Sequence, residues 1–381
     1  MGNGKHIYYF IDADICSGKA NVVHVMKMCQ AFRNNDIAVT LFCNGSNADI
    51  DTDALFAKYD ISNKFRVKIT TIPKFLEKHG HRFGPYYSAW KKSRLIEGNA
   101  VVYSRSAMSL FFLKDNIPFV YEAHVEPDVL NRVIEKKILK NKNLKGVVVI
   151  TAALKQKYLE IFPFLDESQI TVLHDAADAV VTNCKTKAKL NGVPDKINIG
   201  YVGSLFPGKC METLIPLAKR TPQYNFHVVG GNEYWVNYWK SKVETEKLEN
   251  IIFYGFVDNA KVGNYYRAFD VAILPSSKDV YISKNKRVNI GKWTSPLKLF
   301  EAMSYGKPMV VSGLETIKEV VDDFEDCVIV EPDDIDQWVE KLNIVCSDDE
   351  LRNRIGFAAK EKLEKKYTWN KRAEIALNLF K

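Results

Sequence analysis

Ser295-Pro296-Leu297-Lys298-Leu299-Phe300-Glu301-Ala302-Met303-Ser304-Tyr305-Gly306-Lys307-Pro308-Met309-Val310-Val311-Ser312 reads as one helix running directly into one strand. Ser295 suits the cap, Pro296 fits the first helical position, and Gly306 stands where a short helix stops. A helix placed in this way turns its first amides, near Leu297 and Lys298, towards whatever lies before it. With the helix dipole those amides form an anion site. Glu301 follows Lys298 by three residues and Leu297 by four, so its carboxylate falls on the same face one turn further in. A phosphate-bearing ligand with hydroxyls behind its phosphates suits both groups. The plainer reading is a capped amphipathic helix with a solvated glutamate.

Outward from this segment, the second half alternates short apolar runs with helical patterns. Strands are expected at 198–202, 226–229, 251–254, 271–274, 308–311 and 327–330, with helices at 211–220, 235–248, 261–268, 296–305, 316–322 and 335–346. The first half repeats the scheme, with strands at 7–11, 38–42, 68–72, 100–103, 119–121, 147–150 and 170–173 and helices between them. Alternation of this kind specifies parallel sheets with crossover helices. The reading is two domains: residues 1–190 with a closing helix at about 367–381, and residues 191–366.

Ser-Pro-Leu-Lys-Leu-Phe-Glu followed by Gly-Lys-Pro resembles the donor-binding segment of retaining nucleotide-sugar glycosyltransferases of the GT-B fold, in particular glycosyltransferase family four, also called glycosyl transferases group 1. That resemblance implies two Rossmann-like doubly wound domains facing a central cleft. It implies that amides near Ser295, Leu297 and Lys298 hold the donor diphosphate and that Glu301 binds the ribose hydroxyls. In Tyr201-Val202-Gly203-Ser204-Leu205 the family usually carries Gly-Arg, with a lysine a few residues on. Gly203 and Lys209 match, whereas Ser204 replaces the arginine. His124, in Glu122-Ala123-His124, matches a histidine that faces the donor sugar. The loop of Gly18 resembles one that in the family approaches donor phosphate or acceptor, and the loop of Val257 resembles one that contacts the nucleobase in relatives. A second glutamate, eight residues before the position of Glu301 in many relatives, is here Trp293.

Each of these residues also has a bland reading: a surface lysine, a structural histidine, a glycine in a turn. There is no Gly-x-Gly-x-x-Gly, which weighs against a dinucleotide dehydrogenase. The loop 277–294 is basic, with Lys278, Lys284, Lys286, Arg287 and Lys292. Residues 79–95 mix Arg82, Tyr86, Tyr87, Trp90, Lys91, Lys92 and Arg94, which suits either a lipid headgroup boundary or a partly buried helix with a solvated edge.

Composition bounds the rest. The chain has 381 residues with 46% hydrophobic content, no run of about 18 apolar residues and no secretory signal pattern, which predicts a cytoplasmic protein, at most at the cytoplasmic face of a membrane. Seven scattered cysteines lack any Cys-x-x-Cys pair and read as reduced thiols. The net charge of +8 is mild, and the basic residues form no single aromatic-studded groove for nucleic acid. The expectation is a retaining transferase using a nucleoside-diphosphate sugar and a glycan or lipid-linked acceptor, with no cofactor and no required metal. The alternatives are a sugar-nucleotide epimerase of the same fold and a catalytically silent nucleotide-sugar-binding subunit.

Overall fold

The computed structural model describes residues 6–45, 50–72, 83–98, 100–180, 186–280 and 291–381. These form two compact units, Met1–His174 with Trp369–Lys381, and Asp175–Thr368. Residues 175–190, placed with the first domain by sequence, therefore fall in the second. The reason lies in their hydrogen bonds. The Asp175 amide donates to Ser295 Oγ at 2.8 Å, the Ala177 amide to the Tyr367 carbonyl at 3.1 Å and the Ala188 amide to the Asn264 carbonyl at 2.9 Å.

Unit 1 is a seven-stranded parallel sheet of order β3-β2-β1-β4-β5-β6-β7. Its strands are β1 (His6–Asp14), β2 (Ala38–Asn44), β3 (Arg66–Thr70), β4 (Ala100–Ser104), β5 (Phe119–Ala123), β6 (Leu144–Val149) and β7 (Ile170–Val172). The helices are α1 (Ala20–Asn34), α2 (Thr52–Lys58), α3 (Phe83–Arg94), α4 (Ala107–Phe111), α5 (Val129–Leu139) and α6 (Ala152–Ile161). Strands β4 and β5 are buried at every position, as a parallel sheet covered on both faces requires.

Unit 2 is a six-stranded parallel sheet of order β10-β9-β8-β11-β12-β13. Its strands are β8 (Asn198–Val202), β9 (Asn225–Val229), β10 (Ile251–Gly255), β11 (Val271–Leu274), β12 (Met309–Ser312) and β13 (Val328–Val330). Its helices are α7 (Met211–Arg220), α8 (Glu233–Thr245), α9 (Asn259–Ala268), α10 (Leu297–Ser304), α11 (Glu315–Lys318), α12 (Ile335–Ser347) and α13 (Asp349–Lys366). The last helix, α14 (Trp369–Asn378), is part of unit 1. Strand order reverses beside β1 and β4 in unit 1 and beside β8 and β11 in unit 2, and ligands of open α/β sheets bind outside the carboxyl ends of strands at such points.

Candidate functional site

In unit 2 the switch point is lined by the loops after β8 and β11. Close backbone packing shapes them: a Cβ at Gly230 would lie 2.2 Å from the Gly203 carbonyl, and Gly230 has φ +115°. No larger residue fits there without moving the β8 loop. Gly203 is held by its own amide on the Val229 carbonyl at 2.9 Å. The Tyr201 hydroxyl donates to the Ser204 carbonyl at 2.8 Å. Ser204 thus brings a hydroxyl where an arginine would have brought a charge. Gly208 then accepts the Ser277 amide at 2.9 Å, tying the two switch-point loops together. A hollow of about 270 Å³ opens between them, lined by Pro207, Gly208, Glu212, Pro275, Ser277 and Asp279 among others.

Lys209 follows at once. Burial lowers its ammonium to about 8, and among the described residues it makes no ion pair. A cation that has lost water without gaining a carboxylate is stabilised by an arriving anion. Lys209 is half-buried and carries such a charge in unit 2.

Helix α10 begins one residue later than a Ser295 cap would place it. Pro296 is the N-cap, with φ −80° and ψ 115°, and no side chain caps the helix. A residue before proline is pushed into extended backbone, so Ser295 lies outside the helix and its hydroxyl accepts from Asp175 instead. The Leu299 amide closes a tight bond on the Pro296 carbonyl at 3.0 Å, and the amides of Leu297 and Lys298 point out of the first turn.

Lys298 and Glu301 are joined: Nζ lies 3.0 Å and 2.8 Å from the two carboxylate oxygens. The Lys298 charge is therefore engaged by Glu301. Sequence reasoning missed Tyr266 on α9. Its phenol is raised well above its usual value by burial and then by the neighbouring Glu301 carboxylate, and its hydroxyl reaches the Lys298 carbonyl at 3.4 Å. The signal was only an aromatic at helical spacing, indistinguishable from core. Val257 sits half-buried in the loop after β10, where Gly255 accepts the Gly230 amide at 2.7 Å. Trp293 is half-buried just ahead of α10, while Lys284, Lys286 and Arg287 lie outside the described residues.

In unit 1, Gly18 adopts φ +65° and its amide donates to the Tyr59 hydroxyl at 3.0 Å. Tyr59 in turn donates to the Ile15 carbonyl at 2.7 Å, fixing the loop after β1. His124 follows β5 and lies in a buried polar cluster centred on Glu122. Oε1 of Glu122 is 2.8 Å from His124 Nε2, 2.9 Å from His24 Nε2 and 2.7 Å from Arg372 Nη2, and Oε2 accepts from the Tyr9 hydroxyl at 3.1 Å. Burial alone would raise the Glu122 carboxyl, but Arg372, His24 and His124 pull it well below the usual range. His124 is lowered to about 3, chiefly by burial and then by Arg105. The aspartates of Asp12-Ala13-Asp14 and Asp51-Thr52-Asp53 have local partners: Asp14 accepts the Cys16 amide, Asp51 caps α2, Asp53 takes Lys64 at 2.7 Å, and Asp12 takes the buried Lys92 ammonium at 2.8 Å.

Residues 183–362 match the family model of glycosyl transferases group 1. The match spans the β8 loop, α10 and Glu301. Sulfoquinovosyl transferase SQD2 of Arabidopsis thaliana is 27% identical over 185 residues, which is 47% of this chain and 32% of that protein. Uncharacterized glycosyltransferase MJ1607 of Methanocaldococcus jannaschii is 24% identical over 246 residues, 62% of this chain and 59% of that one. The chain thus spans a third to three-fifths of the length of these relatives. Sucrose-phosphate synthase of Thermosynechococcus elongatus superposes with TM-score 0.74 at 16% identity, over 99% of this chain and 98% of the other. Anabaena HepE in complex with UDP and glucose gives TM-score 0.70 at 16% identity, over 98% of both chains. The fold is the paired Rossmann-like architecture of GT-B glycosyltransferases.

Proposed function

We propose that the chain is a glycosyltransferase that moves a sugar from a uridine diphosphate sugar to a hydroxyl acceptor with retention of anomeric configuration. The observation that carries this reading is α10: two first-turn amides beyond a proline cap, with Glu301 one turn behind them, in a unit that matches glycosyl transferases group 1. Uridine is the proposed base because HepE is solved with UDP and with UDP-glucose, and TarM with UDP.

The bond from the anomeric carbon to the diphosphate breaks with its electron pair leaving on the diphosphate oxygen. The α10 amides and Lys209 stabilise that charge, and Glu301 orients the nucleotide through its ribose. The acceptor oxygen then bonds to the oxocarbenium-like carbon from the same face, and its proton passes to the departing diphosphate. In this scheme the positive charge comes from the chain, and no metal is required.

A hydroxyl on a glycan or lipid-linked precursor is the proposed acceptor. The outer face of α5 supports the lipid-linked version, with Val129 and Val133 exposed at 81% and 68% beside exposed Lys136, Lys137 and Lys140. Among the described residues no helix is long and apolar enough to cross a membrane, and the six described cysteines are free thiols.

A donor-binding subunit without activity is the second reading, favoured by Ser204 and Trp293, which leave the site one cation and one carboxylate poorer. Incubation with UDP-sugars separates the readings. Slow donor hydrolysis abolished in Glu301→Ala and Lys209→Ala supports the transferase. Binding without turnover on any acceptor supports the silent subunit, and an epimer formed without acceptor would identify an epimerase.

A further inference from the structure

The Glu122 cluster draws a residue of the C-terminal helix into the carboxyl edge of the unit 1 sheet. Arg372, on α14, donates from Nη2 to Glu122 at 2.7 Å and also binds the carbonyls of Leu173 at 3.1 Å and His174 at 2.9 Å. Trp369, one turn earlier on the same helix, meets the His24 ring edge-on at 5.0 Å, and His24 meets His124 edge-on at 4.9 Å. Arg372 and Glu122 are both buried, at 3% and 0% side-chain exposure.

The side chains of His24, Glu122 and His124 lie close enough to chelate a metal ion, with ligand atoms within 4.8 Å of one another. The Glu122 oxygen they share already faces a guanidinium, so the cation in this cluster is Arg372. An ionised carboxylate only accepts hydrogen bonds. The proton of His124 is therefore on Nε2, and Nδ1 carries the lone pair. Other groups acting on this cluster include Tyr9 from β1, Cys29 from α1, Tyr103 from β4 and Arg105 from the loop after it.

We propose that Arg372 is a positioning residue: by balancing the Glu122 charge it keeps His124 neutral, with Nε2–H on Glu122 and Nδ1 left to accept from a substrate hydroxyl. The substrate contact rests on the proposed function; the charge relay does not. Without the guanidinium, the buried carboxylate draws a proton onto the His24–His124 pair, which turns an acceptor into a donor.

Imidazole 15N spectra of selectively labelled full-length protein test this, alongside the pH profile of kcat/KM. Wild type is expected to show His124 as the Nε2–H tautomer with no titration between about pH 5 and 8. In Arg372→Met one imidazole of the pair takes up a proton within that range, and kcat falls at least tenfold on its acidic side with KM little changed. Arg372→Lys, which keeps the charge, returns the wild-type spectrum and guards against loss of folding in the methionine variant. An Nδ1–H tautomer in wild type, or unchanged histidine titration in folded Arg372→Met, overturns the relay. The predicted spectra together with full activity in His124→Ala would support the relay and refute the substrate contact.

Discussion

In the proposed reading Lys209 and Glu301 share the holding of a nucleoside diphosphate, Lys209 through its charge and Glu301 through the ribose. Lys209 is protonated below about 8 and has no carboxylate partner among the described residues. An anion binds the protonated form, so UDP affinity is expected to be flat on the acidic side and to weaken as pH rises through about 8. Lys209→Met should remove that dependence and cost about ten- to a hundredfold in affinity, the range for a hydrogen bond to a charged group. Calorimetric titration at pH 6.5 and 9 reads both effects. A wild-type affinity that does not change between these pH values would place the phosphate elsewhere. Glu301 was legible from the Ser-Pro-Leu-Lys-Leu-Phe-Glu spacing. Its bond to Lys298 was not, because an i,i+3 pair and two independent ligands share one sequence pattern.

Among the elements, α5 has two faces that make separate predictions. Its inner face places Glu135 against the hydroxyls of Tyr121 and Tyr158, at 2.9 Å and 2.7 Å, and burial raises that carboxyl to about 7. The unfolded chain releases this proton near 4.3. The folded state therefore gains stability from the protonated acid at low pH, and that gain is lost as pH rises from there towards 7, by roughly 4 kcal/mol at most. Glu135→Gln should raise the melting temperature at pH 8 and change it little at pH 5. Equal effects at both would mean that the carboxyl is ionised throughout.

The outer face of α5 is tested with vesicles. Replacing Lys136, Lys137 and Lys140 with glutamate should abolish sedimentation with anionic vesicles, at about 1 kcal/mol per lysine removed. Retained binding would assign attachment to another surface. Elsewhere the element boundaries reflect local chemistry: α7 and β11 begin and end where their apolar periodicity does. The 18-residue α13 escaped notice because it buries little beyond Ile355, Ala359 and Leu363.

Across the whole chain, the two sheets were readable from alternation alone, since parallel strands buried on both faces must appear as short apolar runs between helices. The division between the units was less readable. Residues 175–190 have no periodicity, and among the described residues it is bonds such as those to Ser295, Tyr367, Asn264 and Lys360 that tie the segment to unit 2. The Glu122 cluster was half legible: Glu-x-His was visible, but Arg372 lies 250 residues away in sequence, a distance no local pattern bridges. The central claim, that unit 2 holds the diphosphate of a sugar donor, is tested most directly by calorimetric titration of UDP into the full-length protein and Glu301→Ala. One site per chain is expected in wild type, weakened at least tenfold in the variant. Absence of binding heat at several temperatures, or equal affinity in both proteins, would contradict it.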